Sequence, residues 1–377
     1  MRFVKYHGCG NDFVIMDEAE LARAGVGGEL ASDTGTGGSE GLGSGGTDAG
    51  GGLADFARRI CHRQLGVGAD GLLVCRRQPL TMDIINSDGS VAPMCGNGVR
   101  CFARYCVEEG VVSAGTDEFD VHTLAGAVRA RVSFNEAHIQ GTPGGFTAEI
   151  GMGRPDWSAR AVGIADGLAD ENGEFIGREV DVTGASKVKL SSFFMGTYHT
   201  VVWLDENEWI LGESGERRES DTNSESGGRH ESDANSESGE RRESASGEVP
   251  RRDVDDPGYR SVHDLYTSEA VDRIGRALES HPVFTQRTNV DFARVTGRNA
   301  AEMITWERGA GLTAACGTGA CAVASLGIRE GRFDGSGEVR IALPYGELFI
   351  RRNSDGDVLM RGPAERVFSG EYEICQG

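Results

Sequence analysis

The chain has 377 residues, with 38 Lys+Arg against 59 Asp+Glu, a formal net charge of −21 and 57 glycines. That is length for roughly two ordinary domains, and the acidic balance argues against a nucleic-acid or anionic-membrane surface, which would recruit Lys and Arg. No apolar run approaches the roughly 20 residues of a membrane helix, and Met1-Arg-Phe-Val-Lys-Tyr-His7 does not read as a signal peptide, so a soluble, cytoplasmic protein is expected.

In chain order, Phe13–Met16 reads as a short apolar strand. Residues 25–52, mostly Gly with Ser, Thr and acids, read as a disordered surface insertion. A helix is predicted over 53–64, strands over Gly71–Val74 and Met82–Ile85, a helix over 97–109, and strands over Val128–Val132 and Val201–Trp203. In 212–249 the run Glu219-Ser-Asp-Thr-Asn-Ser-Glu-Ser-Gly227 recurs as Glu231-Ser-Asp-Ala-Asn-Ser-Glu-Ser-Gly239. It offers nothing to bury and reads as a second disordered insertion. A helix over 268–279, a strand over Val290–Val295, a helix over 319–330 and strands over Val339–Leu343 and Leu348–Arg351 complete the list. The mixture is α/β, rich in short strands.

Two turns stand above this background. Cys95-Gly-Asn-Gly-Val-Arg-Cys101 and Cys316-Gly-Thr-Gly-Ala-Cys321 each open a predicted helix. A cysteine there meets free N–H groups and the helix dipole, which favour the thiolate. The glycines let a ligand approach bare N–H donors suited to a carboxylate or oxyanion. Their double occurrence suggests two related half-domains facing one another. Neither turn has Cys-x2-Cys spacing, which disfavours zinc and a redox dithiol, and no metal is expected. Cys61, Cys101, Cys106 and Cys321 read as buried, inert thiols. Nine cysteines without a secretory signal point to reduced thiols.

Two thiols on opposite faces of one carbon make a two-base machine: one removes an α-proton, the other returns a proton to the opposite face. The weakly acidic α-carbon then needs carbanion stabilisation. Only Lys5, Lys187 and Lys189 could form a pyridoxal Schiff base, and none has a recognisable cofactor context. Helix N-termini aimed at the substrate carboxylate are the cofactor-free substitute. The near absence of lysine in an acidic chain fits a salt-rich cytoplasm that screens self-repulsion; a GC-rich genome would also turn Lys codons into Arg.

Lys5-Tyr-His-Gly-Cys-Gly-Asn-Asp-Phe13, Gly66-Val-Gly-Ala-Asp-Gly71, Asn86-Ser-Asp-Gly-Ser90, the two cysteine turns and Trp306-Glu-Arg-Gly-Ala-Gly311 together resemble the diaminopimelate epimerase family. The resemblance runs from residue 1 to about residue 374 (broken by the two insertions) and implies a cofactor-independent isomerase of lysine biosynthesis that interconverts LL- and meso-2,6-diaminopimelate. It implies Cys95 and Cys316 as the catalytic pair, with His199 and Glu307 assisting. Asn11, Asn86, Gly96, Asn97, Thr197, Asn289, Arg308, Gly317 and Thr318 fall at substrate-binding positions, with Arg308 gripping the distal carboxylate. The implied fold is two pseudo-symmetric halves, each a curved, mostly antiparallel sheet around a central helix: 1–149 with 362–377 around Cys95, and 150–361 around Cys316. The family is commonly homodimeric, so a homodimer is the expectation.

The chain departs from the family at Gly196-Thr-Tyr-His199, where the pattern is Gly-Asn-Pro-His, and at Leu312, where it has Glu. A related cofactor-independent racemase or isomerase with another substrate, or a catalytically dead binding protein, are the alternatives.

Overall fold

The computed structural model describes residues 1–26, 52–134, 145–182, 186–212, 261, 264 and 268–373. The cores of the two predicted insertions, 27–51 and 213–249, lie outside the described residues. At the edge of the first, Val26 is buried in the core rather than part of a surface insertion, and its N–H donates to the Leu21 carbonyl.

The first run of elements is β1 (Arg2–Gly8), β2 (Asn11–Asp17), α1 (Glu18–Arg23), α2 (Leu53–Cys61), β3 (Gly71–Arg77), β4 (Leu80–Asn86), β5 (Val91–Ala92), α3 (Gly96–Glu108), β6 (Glu118–Thr123), β7 (Gly126–Phe134) and β8 (Phe146–Gly153). The second is β9 (Phe175–Val182), β10 (Ser186–Phe194), β11 (Tyr198–Trp203), α4 (Trp209–Gly212), α5 (Glu269–Glu279), β12 (Asn289–Gly297), β13 (Ala300–Glu307), β14 (Gly311–Thr313), α6 (Gly317–Arg329), β15 (Val339–Leu343), β16 (Gly346–Arg352), β17 (Val358–Pro363) and β18 (Glu365–Glu371).

The pairing pattern occurs twice. β1·β2 is antiparallel, β2·β3 parallel, β3·β4 antiparallel, β4·β6 parallel, and β6·β7 and β7·β8 antiparallel. In the same order, β10·β11 is antiparallel, β11·β12 parallel, β12·β13 antiparallel, β13·β15 parallel, and β15·β16 and β16·β17 antiparallel. β18 and β9 extend the two runs by pairing with β1 and β10. Each parallel step needs a crossover, supplied by α2 and α5 in one position and by α3 and α6 in the other. Both expected insertions fall in the same crossover, the one carrying α2 or α5. β8 and β17 pair with each other and join the runs.

α3 packs against β1, β2, β7 and β8, and α6 against β11, β12, β16 and β17, so each helix lies in the concavity of its own run. The reason is visible in α6: Gly, Ala, Cys, Val, Ser and Leu leave it apolar nearly all round, and Gly317 and Gly319–Gly327 are buried. Such a helix is stable only when enclosed. One core spans both concavities, while two smaller ones lie under α2 and α5.

The predicted helix over 53–64 is shorter than expected. It ends at Cys61 because His62 turns extended, and Gly66, Val67 and Gly68 fold back to donate to the His62 and Ile60 carbonyls. A side chain at Gly66 would strike the Arg59 carbonyl oxygen at 2.2 Å.

Candidate active site

The fold brings the two cysteine turns together. Cys95 and Cys316 are the N-caps of α3 and α6. Asn97 Nδ2 donates to the Ala315 carbonyl at 3.1 Å, tying the start of one helix to the turn before the other. The ends also share a floor. A Cβ at Gly96 would meet Met360 Cε at 2.6 Å, and one at Gly317 would meet the same methyl at 3.1 Å. Glycine at both positions permits this close approach and leaves the helix N–H groups uncovered.

Behind Cys95 the groups are amides. Its Sγ lies 3.8 Å from Asn11 Oδ1, which also accepts from Asn97 Nδ2 at 3.2 Å. Asn11 Nδ2 donates to Asp70 at 2.7 Å. Behind Cys316 the groups are ionisable. Its Sγ accepts from the Gly319 N–H at 3.4 Å and lies 3.4 Å from Thr318 Oγ1. Thr318 Oγ1 is 2.9 Å from His199 Nε2, and His199 Nδ1 is 2.7 Å from Asp291 Oδ2. Asp291 Oδ1 accepts from the Thr305 hydroxyl at 2.8 Å. His199 and Asp291 are completely buried.

Strand register explains this second cluster. Parallel β11·β12 sets His199 beside Asn289, and two residues on, Asp291 faces the same side. Gly319 makes room: a Cβ there would sit 2.3 Å from Asp291 Oδ1.

Burial overrides the helix-start effect expected from sequence. Desolvation raises the Cys95 thiol above its ordinary value, against backbone N–H groups and Arg100 that pull it down. Cys316 is raised well above its ordinary value, first by burial and then by the carboxylates of Glu307 and Asp291. Glu307 also raises Cys95, so one carboxylate acts on both thiols. Glu307 is itself raised, mainly by burial, while the Thr313 hydroxyl donates to its Oε1 at 2.5 Å.

The residues predicted for the distal end lie at or beside strand ends. Asn289 Oδ1 accepts the Arg308 N–H at 2.8 Å, and Arg308 Nη1 donates to the Gln286 carbonyl at 2.9 Å. The exposed Arg308 guanidinium lies 5.2 Å from the Tyr198 ring centre. Asn86 ends β4 and donates to Ser90 Oγ at 2.9 Å. Thr197 is half-buried in the turn before β11, its carbonyl accepting the Met195 N–H. Leu312 packs on the core that contains Trp306. Sequence reasoning missed Asp291, Thr305, Thr313 and Asp70 as partners. Asp291 was within reach, because strand alternation puts it on the face of Asn289.

His199, Asp291 and Cys316 offer possible metal-ligand atoms within 4.8 Å of one another, the one such grouping among the described residues. The 2.7 Å His199–Asp291 contact is a hydrogen bond. Two ligands about 2.0–2.2 Å from one tetrahedral zinc would stand well over 3 Å apart, so this geometry suits proton handling.

Two cysteine-capped helix starts tied together through Asn97, set in two strand runs of one pairing pattern, belong to an isomerase, as the family matches show. The fold is shared with a hydroxyproline epimerase from Agrobacterium vitis (TM-score 0.55, 11% identity, covering 98% of this chain and 90% of that one). It is shared also with a probable proline racemase from Agrobacterium radiobacter (TM-score 0.53, 13% identity, 99% and 93%). The diaminopimelate epimerase family model matches residues 47–145 and 260–367, which contain both cysteines, Glu307 and Arg308. Diaminopimelate epimerases of Desulfitobacterium hafniense and Clostridium perfringens are each 31% identical to it, covering 98% and 99% of this chain and 97% and 99% of those proteins. The chain belongs to the diaminopimelate epimerase family.

Proposed function

We propose that this enzyme interconverts LL- and meso-2,6-diaminopimelate, a step of lysine biosynthesis, by two-thiol proton transfer without a cofactor. The observation that carries the reading is the joining of two cysteine-capped helix starts through Asn97 and Ala315, over one shared methionine and under one carboxylate.

In this mechanism the substrate α-carboxylate lies against the N–H groups of Gly96, Asn97, Gly317 and Thr318. Fixed dipoles stand there before charge develops, so the carbanion forms without reorganising solvent. One of Cys95 and Cys316 removes the α-proton as thiolate while the other delivers a proton to the opposite face as thiol. His199 and Glu307 set which thiol holds the proton. Asn97 Oδ1, buried and without a hydrogen-bond partner among the described residues, is an acceptor for the α-ammonium. Arg308 takes the distal carboxylate, with Asn11, Asn86, Thr197 and Asn289 around it. The engagement of all three lysines in ion pairs, Lys5 with Asp12, Lys187 with Glu179 and Lys189 with Glu206, supports chemistry without a Schiff base.

On the same reading, 1–149 with 362–377 and 150–361 are the two half-domains, and the enzyme is a cytoplasmic homodimer adapted to salt. The test of function is α-proton exchange in D2O. Purified protein with LL-diaminopimelate should incorporate deuterium at one α-carbon and accumulate the meso isomer. Faster exchange of a monocarboxylic amino acid such as proline would overturn the assignment and favour a related racemase.

A further inference from the structure

We propose that the Thr318 hydroxyl is a proton relay between Cys316 and a buried His199–Asp291 pair, which stores the Cys316 proton whenever that residue acts as a thiolate. The inference rests on the epimerase reading and adds Thr318, Asp291 and Thr305 as working parts of the catalytic device.

The chain of contacts is continuous: Cys316 Sγ to Thr318 Oγ1 at 3.4 Å, Thr318 Oγ1 to His199 Nε2 at 2.9 Å, His199 Nδ1 to Asp291 Oδ2 at 2.7 Å, and Thr305 Oγ1 to Asp291 Oδ1 at 2.8 Å. Thr305 can only donate to a carboxylate, so Asp291 is held as an acceptor on both oxygens. Asp291 therefore fixes the Nδ1–H form of His199, leaving Nε2 to face Thr318.

Two protonation states satisfy every group in this chain. In the first, the Cys316 S–H donates to Thr318, whose O–H donates to neutral His199 Nε2. In the second, the thiol proton has bonded to the Thr318 oxygen while the former hydroxyl proton has bonded to Nε2. The S–H and O–H bonds have broken, and a new O–H and an N–H have formed. Cys316 is then a thiolate that accepts from Thr318 and from the Gly319 N–H. His199 is an imidazolium against the Asp291 carboxylate. Two protons move, no atom is lost, and no buried donor or acceptor is stranded in either state.

This answers a problem the site poses. Glu307 and Asp291 both press Cys316 toward the thiol, so its ionised form needs a nearby cation. The imidazolium created by the transfer supplies it. Cys95 has no such titratable chain among the described residues: its side-chain contact is the Asn11 amide, and the cation that favours its thiolate is the permanently charged Arg100.

The test replaces Thr318 with Val, which keeps the shape and the backbone N–H that faces substrate but removes the hydroxyl, and with Ser, which restores it. Thr318→Val is expected to lower kcat at least tenfold while KM stays within threefold, and Thr318→Ser to stay within threefold of the parent. Independently of substrate, iodoacetamide labelling read by peptide mass mapping should slow at least tenfold at Cys316 and change less than twofold at Cys95. Asp291→Asn, which keeps volume but removes the counter-charge, should give the same selective loss at Cys316. Unchanged Cys316 labelling in folded Thr318→Val would overturn the relay, as would equal slowing at both cysteines. A parent enzyme inert toward diaminopimelate whose Cys316 labelling still follows the Thr318 hydroxyl would sink the substrate assignment and leave the relay standing.

Discussion

Cys95 and Cys316 occupy the same place in the same strand-pairing pattern, yet what stands behind them differs in kind. The Cys95 side is closed by amides: Asn11 holds the thiol and is held by Asp70. At Cys316 the thiol meets a hydroxyl, an imidazole and a carboxylate in series. The caps differ in degree: the Gly319 N–H donates to Cys316 Sγ at 3.4 Å, whereas the Gly98 and Asn97 N–H groups pull on the Cys95 thiol without reaching full cap geometry. The ends of β4 and β13 repeat the contrast, with Asn86 in one and Glu307 in the other. A duplicated scaffold supplies geometry twice, and the chemistry is then divided unequally between the copies. The division suits a reaction whose two proton transfers need opposite protonation states at any moment.

The largest effect expected is from removing either thiol. Cys95→Ala and Cys316→Ala should each lower epimerisation by the roughly 10²–10⁴ of a positioned acid or base, measured by NMR as appearance of the meso isomer. Near-normal turnover in either variant would break the two-sided mechanism. Next comes Arg308→Ala, which strands a substrate carboxylate. A charged hydrogen bond contributes about 1.5–3 kcal/mol, so kcat/KM should fall by roughly 10- to 150-fold, mostly through KM. A loss confined to kcat would place Arg308 elsewhere than at the distal carboxylate.

Thiol reactivity sharpens the comparison directly. Both thiols are raised above their ordinary value, and Cys316 well above it. A raised value keeps a thiol protonated to higher pH, so the thiolate fraction of Cys95 should climb about tenfold per pH unit through pH 7–8.5. Cys316 instead ionises by internal transfer to His199, which releases no proton to solvent, so its alkylation should rise much less steeply over that range. A plateau by pH 7.5 at Cys95 would mean a resting thiolate and reverse the electrostatic picture there.

The sequence made the helix starts, and with them the two cysteine turns, plain to see, because Cys-Gly-x-Gly before an apolar stretch has few other uses. Strands such as Phe13–Met16 showed through their apolar runs, although β2 extends to Asn11–Asp17. What stayed hidden depended on register. Alternation from Asn289 tells which face Asp291 is on, but nothing local names His199 as its partner or Asp291 as the partner of Thr305; parallel β11·β12 and antiparallel β12·β13 bring the three together. The sign of the thiol shifts was hidden for the same reason. A helix start is a local feature, whereas burial depends on the whole fold.

The smaller predictions concern the turn before His199, where the chain departs from its family. Thr197→Asn restores an amide at the distal end of the site. One neutral hydrogen bond contributes about 0.5–1.5 kcal/mol, so KM should change by roughly two- to tenfold with kcat intact. A change in kcat larger than that in KM would place Thr197 near the reacting carbon.

The smallest expected effect belongs to Tyr198, which stands where the family pattern has proline. Proline offers no ring face for a cation, whereas Tyr198 places its ring 5.2 Å from the Arg308 guanidinium. It is braced from behind by Phe194, edge to face at 5.8 Å. Among the described residues Arg308 is otherwise held through its backbone N–H and one carbonyl, so the ring limits how far its head can swing. An exposed cation–π contact contributes about 0.5–1 kcal/mol. Tyr198→Ala should therefore raise KM roughly two- to fivefold, and Tyr198→Phe, which keeps the ring, should leave it unchanged. Because the contact lies at the distal carboxylate, the loss should vanish in the Arg308→Ala background, where there is no guanidinium to hold. Additive losses in the double variant would show that Tyr198 acts on the turn and His199 rather than on Arg308, moving its influence from binding to chemistry.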